Sequence, residues 1–101
     1  MIIKQGVKIA GLHPKMQIAL DWAQEVYEES LTPLVVTSAL DGEHMENSLH
    51  YVGKAVDIRT YNLPRLQSVF RAHAKIKKGL EDLGFDVILE KTHIHIEYDP
   101  K

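Results

Sequence analysis

Residues 86–98 read Asp-Val-Ile-Leu-Glu-Lys-Thr-His-Ile-His-Ile-Glu-Tyr. Two strand-like runs, Asp86 to Glu90 and His93 to Tyr98, flank the polar pair Lys91-Thr92, a pattern that predicts a β-hairpin. Lys-Thr is not a favoured type I′ pair, so the turn is expected to exceed two residues. Side chains alternate across a strand. Ile94, Ile96 and Tyr98 therefore share one face, and His93, His95 and Glu97 share the other. Closing the hairpin sets Glu90 beside His93. A sheet with one apolar and one ionisable face is covered on one side only.

The same parity recurs upstream. In Lys54 to Arg59, Val56 and Ile58 fall on one face, and Ala55, Asp57 and Arg59 on the other. Leu34 to Thr37 is a β-branched run that reads as a buried strand. Val7 to Ala10 reads as a further short strand. From Pro14 to about Glu29, Met16, Ala19, Leu20, Ala23, Val26 and Tyr27 recur at spacings of three and four, which predicts an amphipathic helix. Pro64 opens a second helix to about Leu83, with Leu66, Val69, Phe70, Ala74, Ile76 and Leu80 expected inside and Gly84 as its stop. Trp22, Tyr27, Phe70 and Phe85 are expected mostly in the core. Ser38 to Tyr51 is polar and reads as a loop. The order is β-α-β-loop-β-α-β-β: an α+β domain with two helices on one face of a small, mainly antiparallel sheet. Without a repeat or linker, residues 1–101 read as one domain.

Composition narrows the chemistry. The chain has six histidines and no cysteine. That excludes a disulfide scaffold, thiolate-held clusters and a cysteine nucleophile. A net charge of -2 leaves no electrostatic footprint for nucleic acid or an anionic membrane. The N-terminus has no apolar run long enough for a signal peptide or a membrane span. Lys75, Lys77 and Lys78 read as a solvated helix face, and Asp41 and Glu43 as solvated loop charges.

The polar face of the predicted sheet gathers Asp57, His93, His95 and Glu90, with His50 seven residues before Asp57. Imidazole and carboxylate suit a divalent metal, zinc first. Gly53 lies between His50 and Asp57 and permits a tight turn. His13 and His73 read as ordinary surface or capping residues, while His44 and Tyr51 are candidates to line the site.

Ser48-Leu49-His50-Tyr51-Val52-Gly53-Lys54-Ala55-Val56-Asp57 fits the pattern S-x-H-x-x-G-x-A-x-D and resembles the M15 metallopeptidases. These include D-alanyl-D-alanine carboxypeptidases and dipeptidases and the phage L-alanyl-D-glutamate endopeptidases. His93-Ile94-His95 looks like the H-x-H strand of the same superfamily, which also holds the hedgehog signalling domain. The resemblance covers about Val35 to Pro100. It implies a hedgehog/DD-peptidase-like fold with zinc on His50, Asp57 and His95, and with His93 beside the metal or the substrate. A second branch uses E-x-x-H, which Glu90-Lys91-Thr92-His93 also fits, making His93 the third ligand. Many H-x-H members carry an aspartate where this chain has Thr92, and Glu90 is the alternative base. Ser48 and Arg59, with His44 and Tyr51, fall to substrate binding.

The resemblance implies hydrolysis of amide bonds in peptidoglycan stem peptides containing D-amino acids, of carboxypeptidase or endolysin type. A non-catalytic zinc-binding module of the same fold is the alternative. It further suggests a phage or prophage protein, cytoplasmic when made and released to the cell wall through a holin. The chemistry suits these residue types. Zinc lowers the pKa of water toward roughly 7 and polarises a carbonyl. A carboxylate moves the proton, and an imidazolium or guanidinium steadies the oxyanion.

Overall fold

In the computed structural model, residues 1–40 and 52–100 are described. His44, Ser48, His50 and Tyr51 lie outside them. The described elements are β1 (Ile2–Ile3), α1 (Lys15–Glu28), β2 (Val35–Ser38), β3 (Ala55–Arg59), α2 (Leu66–Leu80), a 3-10 turn (Glu81–Leu83), β4 (Phe85–Leu89) and β5 (His93–Tyr98). They build an α+β domain whose strands run in the order β1-β2-β3-β5-β4. β1 joins β2 in parallel, and every other pairing is antiparallel. β5 therefore inserts between β3 and β4, the two strands that α2 connects.

Register carries the two-faced pattern across the sheet. Val56 pairs with Ile96 and Ile58 with Ile94, while Val87 and Leu89 pair with Ile96 and Ile94 from the other side. These residues pack against Met16, Ala19, Leu20, Ala23, Val26 and Tyr27 of α1 and Ala72, Ile76 and Leu80 of α2. Ile58, Ile94 and Ile96 are fully buried. A one-residue slip of β5 would send Ile94 and Ile96 to the outer face, at roughly 1.5–3 kcal/mol for each side chain exposed. Burial of the isoleucines thus fixes where the histidines point.

Several boundaries and faces differ from expectation. Val7 to Ala10 is not a strand, and the first strand is Ile2–Ile3, which hydrogen-bonds along β2 through Ile2 N–H to Leu34 O and Lys4 N–H to Val36 O. In α2 the buried face holds Ala72, Ile76 and Leu80, not Ala74. Leu66 and Phe70 are 69% and 52% exposed, because the core stripe runs through Ala72 and Ile76 and Val69 packs only at its margin. Trp22 is partly buried against the core rather than within it. Three residues, Glu90 to Thr92, join β4 to β5, and neither Lys91 nor Thr92 has the positive φ of a type I′ turn.

Two anchors position the outer face. Tyr27 donates its hydroxyl to Arg59 O at 2.6 Å, tying α1 to the end of β3, and burial pushes its phenol well above the ordinary range. Gly53, just before β3, has φ +73°, and a Cβ there would lie 2.4 Å from Gly11 O. His13 N–H donates to Gly53 O at 2.8 Å, so the segment before α1 is laid directly on the start of β3. Gly84, at φ +94°, ends the 3-10 turn after α2, as its stop signal predicts.

Candidate metal centre on the outer sheet face

The outer face presents three cross-strand rows. Ala55, Glu97 and Asp86 form one, Asp57, His95 and Ile88 the next, and Arg59 and His93 the third. Glu90 extends the third row: its N–H donates to His93 O at 2.8 Å. The hairpin thus places Glu90 opposite His93, with an exposed side chain.

The middle row holds the closest polar contacts. His95 Nδ1 lies 2.8 Å from Asp57 Oδ1, and its Nε2 lies 3.0 Å from Glu97 Oε1. Side-chain exposure is only 18% for His95, 14% for Asp57 and 20% for Glu97, so these contacts are shielded from water. His93 Nε2 stands 3.7 Å from the same Asp57 oxygen, and Thr92 Oγ1 lies 3.2 Å from His93 Nδ1. Both histidines of the H-x-H pair therefore address Asp57, with His95 the nearer and the more buried.

Charge follows from this geometry. An ionised carboxylate only accepts hydrogen bonds, so a ring facing one carboxylate through each nitrogen is best served by a proton on both. The His95 pKa is raised accordingly. The Asp57 hydrogen bond is the largest cause, burial opposes it, and the charges of Asp57 and Glu97 add to it.

The donor set also fits a divalent cation. Ligand atoms about 2.0–2.1 Å from a tetrahedral zinc lie roughly 3.3 Å apart, so Asp57 Oδ1 and His95 Nδ1, 2.8 Å apart, would part by about 0.5 Å around an ion. With Nδ1 turned to an ion shared with Asp57, Nε2–H would still donate to Glu97, the carboxylate–histidine pairing that commonly orients a metal-bound imidazole. Strand parity puts Glu97 on this face, and the structure adds its contact with the His95 ring. The signal was its i+2 spacing from His95. Asp86, Glu97 and Asp99 also bring ligand atoms within 4.8 Å of one another, a possible acidic metal-binding group one row from His95. The hairpin register that sets Glu90 beside His93 also brings Asp86 to Glu97.

Two further described histidines, His13 and His73, behave as ordinary residues. His13 Nδ1 accepts from Lys15 N–H at 3.1 Å and so caps the start of α1. His73 Nε2–H donates to Val87 O at 3.1 Å, linking α2 to β4. Among the described residues, no helix is long and apolar enough to cross a membrane.

Known proteins resemble part of this chain. It is 38% identical over 55 residues to Indian hedgehog proteins of Xenopus laevis and Gallus gallus, and 36% identical over 55 residues to the Sonic hedgehog protein of Xenopus laevis. Each alignment covers 54% of this chain but only 12–13% of the hedgehog protein. The similarity is consistent with the hedgehog/DD-peptidase superfamily. No family model and no solved structure matches the chain.

Proposed function

We propose that this domain is a zinc-dependent peptidase of the M15 type acting on peptidoglycan stem peptides that contain D-amino acids. The observation that carries the reading is the contact between Asp57 and His95 across adjacent strands, 2.8 Å apart and shielded from water. His50, seven residues before Asp57 in the motif, is the third ligand of this reading, and Glu97 holds the far side of the His95 ring. Zinc held there would supply a nucleophile from water at neutral pH and polarise the scissile carbonyl.

The chain's own side chains supply the rest. Glu90, opposite His93, takes a proton from the attacking water and returns it to the leaving amine. His93, which turns Nε2 toward Asp57 and contacts Thr92 through Nδ1, donates a hydrogen bond to the developing oxyanion. Asp57 holds His95 at 2.8 Å, while the Thr92 hydroxyl, 3.2 Å from Nδ1, orients His93. Ser48, His44 and Tyr51 complete the substrate side in this reading.

A second reading, a zinc-binding module of the same fold without peptidase activity, draws support from the partial likeness to hedgehog proteins and from Thr92 at a position where many relatives carry an acid. One experiment separates them. Zinc-loaded protein is incubated with purified peptidoglycan, with and without chelator, and new amino groups are counted. The peptidase reading expects chelator-sensitive release, at least about a hundredfold lower in Glu90→Gln at unchanged zinc content. Zinc binding without release supports the module. Absence of bound zinc after reconstitution removes both.

A further inference from the structure

The third row of the sheet face ends in a cationic corner that the metal centre does not use. Arg59 stands opposite His93 and two residues beyond Asp57. Its guanidinium carbon lies 4.8 Å from the centroid of the Tyr61 ring. Its Nε is buried and has no hydrogen-bond partner. A buried donor left unmade costs about 1–3 kcal/mol, so such an arrangement calls for an acceptor. Tyr61 also lines a cavity of about 310 Å³ with Leu63, Pro64, Leu66, Arg65 and Lys91, which Arg59 adjoins in sequence without being part of its lining. Its lining contains two cations and no acid. Among the described residues, neither Arg59, Arg65 nor Lys91 has a carboxylate partner. Thr60 N–H donates to Thr92 O at 3.2 Å, which fastens this corner to the hairpin turn beside Glu90 and His93.

From this geometry we propose that the Arg59–Tyr61 corner is a carboxylate-recognition subsite, with Arg65 and Lys91 supplying further positive charge and Leu63, Pro64 and Leu66 an apolar floor. Its ligand is a carboxylate-bearing group of a peptide, either the terminal carboxylate or an acidic side chain next to an aliphatic portion. This deepens the peptidase reading and rests on it, since the corner adjoins the row of His93 and Glu90. A planar guanidinium matches a carboxylate through two parallel N–H donors, and it keeps that geometry when stacked on an aromatic ring. Uncompensated charge at a cleft also draws anionic substrate toward it.

The test uses the full chain freed of metal, so that carboxylate binding to zinc cannot contribute. N-acetyl-alanine offers a terminal carboxylate only, N-acetyl-isoglutamine a side-chain carboxylate only, and N-acetyl-alaninamide neither. NMR follows the Arg59 Nε–H resonance and the Leu63 and Leu66 amides during titration. At least one carboxylate probe should shift all three and bind about tenfold or more tightly than the amide. The carboxylate probe that binds more tightly identifies which group is read. Arg59→Gln should abolish the preference, Arg59→Lys should keep only part of it, and Lys91→Gln, on the exposed turn, should weaken binding without touching the fold. Equal affinity for all three probes, or a carboxylate preference that survives both Arg59→Gln and Lys91→Gln, overturns the proposal. Activity is measured separately on the zinc-loaded chain. Carboxylate binding without hydrolysis refutes the peptidase reading alone, and hydrolysis without carboxylate binding refutes the subsite alone.

Discussion

Replacing Asp57 by Asn probes the centre without metal or substrate. The substitution keeps an oxygen near His95 Nδ1, now 2.8 Å from Asp57 Oδ1, but removes the negative charge. A hydrogen bond to a charged partner contributes about 1.5–3 kcal/mol, and both side chains are less than a fifth exposed, so screening takes little from it. A loss of about 2 kcal/mol lowers Tm by roughly 8–16 °C for a domain of this size. The pH dependence is more diagnostic. The folded-state pKa of His95 lies above its ordinary 6.5, with the Asp57 hydrogen bond as first cause. The stabilisation is therefore complete below the unfolded value and is lost as pH rises through the folded value. Metal-free wild type and Asp57→Asn, compared by urea unfolding from about pH 5.5 to pH 9, should differ most at the acidic end and converge at the basic end. A difference that is flat, or grows with pH, refutes the charged Asp57–His95 pair.

Four further outcomes follow from particular contacts. Glu97→Gln should weaken zinc about 10- to 100-fold by competition with a chromogenic chelator, because the carboxylate accepting His95 Nε2–H is neutralised. In wild type, zinc must displace the His95 proton, so affinity should rise with pH up to the raised pKa and then level off. Gly53→Ala should cost about 3 kcal/mol or more in denaturant unfolding, since φ +73° alone carries roughly 1–2 kcal/mol and the new Cβ meets Gly11 O. Gly79→Ala should destabilise despite alanine's helix preference of about 1 kcal/mol. Its Cβ would lie 2.4 Å from Trp22 Nε1, which donates to Lys75 O, so a changed emission from this sole tryptophan is the accompanying signal.

Parity made half of the centre legible in the chain. Asp57, His93, His95 and Glu97 each lie one step from a residue that must be buried, and alternation alone sends them outward. The α1 face was equally readable, because Met16, Ala19, Leu20, Ala23, Val26 and Tyr27 repeat at helical spacing and all are buried. The α2 face was misread where apolar residues outnumber the buried positions: Leu66, Phe70 and Ala74 offer a rival stripe. Only packing against α1 and β4 selects Ala72, Ile76 and Leu80 instead. Val7 to Ala10 failed for a related reason, since a short apolar run says nothing about which strand it joins.

By itself, then, the sequence determined two helices, a two-faced sheet and which side chains leave the core, all consequences of local periodicity and of the cost of exposing isoleucine. It also determined the candidate ligand types, because a chain without cysteine has imidazole and carboxylate as its principal metal donors. The tertiary structure decided the register of β3 against β5: His95 opposite Asp57 and Arg59 opposite His93. Those pairings join residues 38 and 34 positions apart, and nothing local encodes them. They arise where the inner faces of β3, β4 and β5 interlock, so the core sets the distances at which the outer face does its chemistry.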